Sequence, residues 1–177
     1  MKVFRHADPR FPFLWESTEQ PPARWHGENE GPAHYLADTP EGAWAEFLRH
    51  EEIRDIEDLE GIRRALWLVE VTEPPDSQPE LEESTLVGGP ETYPACQAEA
   101  ARLRHAGAQG LTALSAALRP GRARGWRVDQ GLQEGPPRDG KVVVLFGHRP
   151  DLLGWRVVDQ GRPPLEALTK VRHFGDE

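Results

Sequence analysis

The segment "YLADTPEGAWAEFLRH" (residues 35–50) joins a short strand to a helix with a sharply marked start. "PAHYLA" alternates sides as a strand does. Thr39 then stands at the N-cap, Pro40 at the first helical position and Glu41 in the first turn. These residues satisfy a free amide, preset φ and complement the helix dipole, in that order. The spacing predicts a helix over "EGAWAEFLRHEE", with an apolar stripe of Ala43, Trp44, Phe47 and Leu48. Over the whole chain 17 glycines and 17 prolines mark out short pieces joined by many turns.

Around this unit, "KVFRH", "RALWLVEV", "GLTALSA" and "KVVVLFG" read as strands. "DIEDLEGI" reads as a short helix or turn, and "PLEALTK" as a short final helix. "TYPACQAEAARLRHAG" reads as a helix stopped by Gly107. "DPRFPFLWESTEQPP" is an irregular packed segment, "TEPPDSQPELEES" an exposed acidic loop and "LRPGRARG" a basic loop. "GWRVDQG" (125–131) and "GWRVVDQG" (154–161) nearly repeat each other, which fits either two similar strand–turn units or a chance likeness, and no spacing recurs. There is no βαβ rhythm and no glycine-rich phosphate loop after a strand, so the class expected is α+β.

The 177 residues suffice for one domain, and 37% hydrophobic content with six tryptophans can fill its core. A net charge of −9 disfavours nucleic acid as a direct partner but admits a small anion held by a few placed arginines. The single cysteine, Cys96, excludes a disulfide framework or cysteine-based zinc site within one chain. The seven histidines include no HExxH and no HxH, so no metal is expected. No apolar leader opens the chain and no run of about 18 apolar residues interrupts it. The expectation is a cytoplasmic domain with no membrane partner.

Arg24, Tyr35 and Glu46 are evenly spaced along the chain. Glu46 lies off the apolar stripe beside Gly42, Ala45 and Arg49, and two small neighbours leave room for a ligand. The plainer reading is a solvent-facing glutamate pairing with Arg49 or His50. Arg24 can grip a diphosphate or carboxylate in a forked geometry, or be a surface arginine beside a core Trp25. Tyr35 is either core or a flat ring offered to a heterocycle. Ser115, in "LTALSAAL", lacks the GxSxG context of a hydrolase nucleophile. The four arginines of "RPGRARGWR" (119–127) form an anion site or a solvated loop.

Taken in order, these segments resemble the RES-domain family. "VFRHADPRFPFLW" resembles its N-terminal arginine segment. "ARWHGENEGPAHYLADTPEGAWAEFLRH" resembles its core, in which "RW", a Gly-rich turn, a "YLA" strand and an "A-x-x-E" helix follow one another. "CQAEAARLRHAGAQGLTALSAAL" resembles the segment ending in the family serine, and "KVVVLFG" the closing strand. The match covers about residues 3–147 of a single domain spanning 1–177, with 148–177 as a C-terminal extension.

The resemblance implies a fold like that of the ADP-ribosyltransferase toxins, a mixed β-sheet core with flanking helices. It implies cleavage of the nicotinamide–ribose bond of NAD, taken as substrate with no cofactor. Phosphate, water or a protein serves as acceptor, making the chain a phosphorylase, a glycohydrolase or a protein ADP-ribosyltransferase. It implies the toxin role in a bacterial toxin–antitoxin pair with an Xre-type helix-turn-helix antitoxin as partner, and it admits a homo-oligomer. A catalytically inactive RES-like binding module is the competing reading. By the same resemblance Glu46 is the family glutamate, at the ribose. Arg24 is the family arginine, at the pyrophosphate. Tyr35 is the tyrosine, beside the nicotinamide, and Ser115 the serine, at the ribose or nicotinamide amide. Arg5 is the earlier arginine. Two positions depart from the pattern. His26 stands where the family usually has Asn, and "LSAAL" lacks the arginine that commonly follows the serine, leaving Arg119 as its nearest substitute.

Overall fold

The computed structural model describes residues 1–176. Its centre is a six-stranded sheet built from β1 (Lys2–Ala7), β2 (Ala33–Ala37), β3 (Arg64–Glu70), β4 (Gly110–Leu114), β7 (Lys141–Phe146) and β8 (Leu153–Gly161). The spatial order is β4-β7-β2-β1-β3-β8. The remaining strands, β5 (Trp126–Val128) and β6 (Leu132–Glu134), form a separate hairpin. Among the described residues three α-helices accompany the sheet: α1 (Pro40–His50), α2 (Glu83–Val87) and α3 (Tyr93–His105). The class is α+β, as expected.

The sheet is antiparallel throughout, where a mixed sheet was expected. The reason lies in the connections. β2 and β3 run in the same direction, linked through α1, but β1 lies between them and is antiparallel to both. The crossover therefore never puts parallel strands side by side.

"KVVVLF" in β7 is a continuous apolar run because both faces of the sheet are covered. Val142, Val144 and Phe146 meet α3 and α2 through Cys96, Ala100, Leu103 and Leu86. Val143 and Leu145 point the other way, into a core with Val3, Leu36, Val69 and Leu152. The buried side of α1 packs Phe47 and Leu48 on Leu59, Ala117, Leu118 and Val171.

The helix start follows the sequence closely. Thr39 is extended, and its hydroxyl accepts from the Gly42 amide at 3.0 Å, with Pro40 opening the helix. α1 is more buried than a one-sided stripe predicts, since Gly42, Ala45 and Arg49 are covered as well. A β-carbon at Gly42 would stand 3.0 Å from the Ala37 methyl group, so glycine lets the helix start sit tightly on β2. Gly107, at φ 93°, follows the end of α3. Residues beyond 147 supply β8 on one sheet edge and the 3-10 turn Leu165–Lys170 against α1.

Candidate active site

A cleft of about 390 Å³ opens beside α1, a size usual for small-molecule sites. Its walls come from β1 and the loop after it, from Ala23 to Trp25, from β2 and from α1. Arg5, Arg24, Tyr35 and Glu46 all line it. The evenly spaced trio of the sequence is thus one place in space, because β2 and α1 are consecutive and Arg24 leads into β2.

Glu46 reaches the cleft with its side chain 24% exposed. Of the small residues of α1, Ala43 lines the cleft, while Gly42 and Ala45, expected to leave room for a ligand, do not. The Ser115 hydroxyl donates to Glu46 Oε1 at 3.3 Å and accepts from the Leu118 amide at 3.1 Å. Ser115 itself is 5% exposed, while its neighbours Leu114 and Ala116 line the cleft. The serine thus orients the acid. His50 Nε2 is 3.7 Å from the other carboxylate oxygen, one helical turn on.

Tyr35 presents its ring to the cleft and fixes its hydroxyl behind. The hydroxyl accepts from the Trp25 amide at 2.9 Å and lies 2.9 Å from His26 Nδ1. His26 Nε2 faces the Pro21 carbonyl at 2.9 Å, which accepts only and so keeps that nitrogen protonated. In a neutral imidazole Nδ1 is then the acceptor, and the tyrosine donates to it. Burial pushes the Tyr35 phenol well above its ordinary pKa, and burial also lowers that of His26. His26 therefore holds the tyrosine by its hydroxyl.

Arg24 lies deep, 8% exposed. It donates to the Thr85 carbonyl at 3.2 Å, the Thr92 hydroxyl at 3.0 Å and the Gly88 carbonyl at 2.6 Å, and it stacks over Tyr93. Three of its contacts are thus spent on the segment around α2, so it ties the fold together before it is a clamp. Arg49 is used similarly: it donates to the carbonyls of Ala116, Arg172 and Gly88 and stacks over Phe174.

Arg5 is freer. Among the described residues its side chain makes one hydrogen bond, to the Tyr35 carbonyl at 3.4 Å, and burial and the nearby Arg64 lower its pKa to about 10. Arg64, also on the cleft, donates to His6 Nδ1 at 3.0 Å and lies over the Phe47 ring. Among the described residues neither guanidinium has a carboxylate within ion-pair distance. A protein of net charge −9 thus keeps a cationic cleft.

Across residues 2–165 the chain matches the family described as the RES domain. The chain belongs to the RES-domain family. No curated protein is significantly similar to it in sequence. Among solved structures, a chain of the M. tuberculosis MbcT–MbcA toxin–antitoxin complex superposes with a TM-score of 0.53 at 14% identity, over 92% of this chain and 81% of that one. At that identity the likeness is one of fold.

Within the RES domain, sequence reasoning missed Arg64, His6 and the aromatic residues Phe11 and Trp15, all of which line the cleft, whereas His50 stands beside Glu46 as the plainer reading of that helix had it. Arg64 opens a strand that reads simply as core, and nothing local marks it. Arg119, the nearest arginine to the serine, faces elsewhere: it donates to the Val171 carbonyl and pairs with Asp176. The other arginines of the basic loop also stay outside the cleft. Among the described residues no cluster of three metal-ligating side chains occurs. Among the described residues no helix is long and apolar enough to cross a membrane.

Proposed function

We propose that this RES domain binds NAD in the cleft and cleaves its nicotinamide–ribose bond. The supporting observation is a partly exposed glutamate, steadied by a buried serine, in a cleft whose lining also includes four arginines and several aromatic rings. Each feature answers a feature of the substrate. The dianionic pyrophosphate calls for guanidinium groups free of carboxylate partners, and Arg5 is best placed, with Arg24 beneath the site. The flat nicotinamide calls for a fixed ring, which Tyr35 supplies.

As the glycosidic bond breaks, its electron pair leaves with the nicotinamide nitrogen, and positive charge grows at the ribose anomeric carbon. The Glu46 carboxylate stabilises that charge and can hold a ribose hydroxyl. An acceptor oxygen then bonds to the anomeric carbon and loses its proton. Phosphate as acceptor gives a phosphorylated ADP-ribose, water gives ADP-ribose, and a protein side chain gives a modified protein. The family membership and the fold shared with a toxin–antitoxin complex support a toxin role, held in check by a helix-turn-helix antitoxin.

The test is incubation of the purified chain with NAD, with and without phosphate, followed by mass spectrometry of small products and protein. Glu46→Ala runs alongside. Nicotinamide release by the parent and not by the variant is expected, and the product mass names the acceptor. Equal NAD loss by both proteins would remove Glu46 from the mechanism. No release under any condition would favour a binding module.

A further inference from the structure

The loop between β1 and β2 places two large aromatic side chains in the open, Phe11 at 62% and Trp15 at 53% exposure, and both line the cleft that holds Glu46. The loop is pinned on either side of them. The Phe11 amide donates to the Asp8 carbonyl at 3.0 Å. Phe13 turns inward onto the Trp67 ring and against Gly154, where even a β-carbon would stand 2.7 Å from it. Glu16 accepts from the Arg149 amide at 2.9 Å. Gln20 donates to the Trp15 carbonyl at 3.1 Å and accepts from the Ala33 amide at 2.8 Å. Phe11 and Trp15 are therefore held facing solvent on an anchored loop. The core does not use them, although burial is where such side chains gain most.

We propose that Phe11 and Trp15 form a stacking platform for the purine base of an adenine nucleotide, and so decide that the substrate is a dinucleotide. This rests on the reading that the cleft takes NAD. The chemistry is complementary: a π face on the loop wall, the Arg5 and Arg64 guanidinium groups, which have no carboxylate partner among the described residues, on the sheet wall, and the acid on the helix wall. A base, a phosphate bridge and a ribose need those three surfaces. Aromatic stacking contributes about tenfold or more to the affinity for one base.

The experiment compares NAD with nicotinamide mononucleotide, which keeps the scissile bond and one phosphate but lacks the adenosine. The full-length parent, Phe11→Ala, Trp15→Ala and Trp15→Phe are assayed, with AMP titrated onto each by calorimetry. In the alanine variants the ratio of kcat/KM for NAD over the mononucleotide should fall about tenfold, through KM. Trp15→Phe should restore most of it, and AMP binding should weaken in parallel. An unchanged ratio, or AMP binding equal in parent and variants, would overturn the platform. If the parent cleaves neither substrate, the proposed reaction fails by itself. The AMP titration then still decides whether these rings hold a base.

Discussion

Ser115 Oγ lies 3.3 Å from Glu46 Oε1 and 3.1 Å from the Leu118 amide, so both its donor and an acceptor site are taken by protein. The serine holds the acid. Ser115→Ala should therefore lower kcat about tenfold or more with little change in KM, the size of a hydrogen bond to a charged group. Steady-state nicotinamide release would measure it. The double variant with Glu46→Ala should be no worse than Glu46→Ala alone, and an additive loss would place Ser115 on the substrate instead.

Tyr35 separates ring from hydroxyl. In the proposed reaction the ring orients nicotinamide, and the hydroxyl only anchors it. Tyr35→Phe should keep most of the turnover but cost about 1–3 kcal/mol of stability, because the buried Trp25 amide loses its acceptor. Tyr35→Ala should lose turnover as well. Denaturant unfolding and NAD turnover on the same samples would distinguish the two effects, and loss of turnover in Tyr35→Phe would assign chemistry to the hydroxyl.

Acid should loosen the fold before it protonates most carboxylates. Burial holds His6, His26 and His34 below their ordinary pKa, His34 at about 4. Between the unfolded value, about 6.5, and the folded one, the unfolded chain binds the extra proton. Stability is then full above the unfolded value and declines as pH falls from 6.5 towards 4. A thermal unfolding series should be nearly flat from pH 7 to 8 and drop through that window. His34→Gln should flatten the drop, and an unchanged slope would assign the loss to other groups.

Much of the scaffold was legible in short words of sequence. The Thr39 cap, the strand "RALWLVE" and the stop near Gly107 depend on neighbours a few residues away, and local chemistry decides them. Pairings at long range were not legible. "GWRVDQG" folds into a hairpin because Gln130 and Gly131 turn at positive φ, and "GWRVVDQG" continues as β8 because β3 is there to receive it. In the site, the spacing of Arg24, Tyr35 and Glu46 hinted at a common location. It carried no sign of Arg49 turning inward to carbonyls, of Ser115 serving the acid, or of Arg64 arriving from β3. Each depends on contacts across dozens of residues.

Arg24 gives a last prediction. Its removal strips hydrogen bonds from the Thr85 and Gly88 carbonyls and the Thr92 hydroxyl together. Arg24→Ala should cost about 3 kcal/mol or more in denaturant unfolding, and Arg24→Lys should recover little, since one ammonium cannot span the same fork. Wild-type stability in Arg24→Ala would show those bonds to be dispensable.

The arginine's grip also ties together two lengths of chain more than 60 residues apart. Its guanidinium acts as a rivet, holding the stretch from Thr85 to Tyr93 against the strand entry that carries Trp25. A rivet of this kind makes the pocket and the fold fail together. Natural variation at position 24 would be filtered first by whether the protein survives in the cell, and only afterwards by how well it handles its substrate.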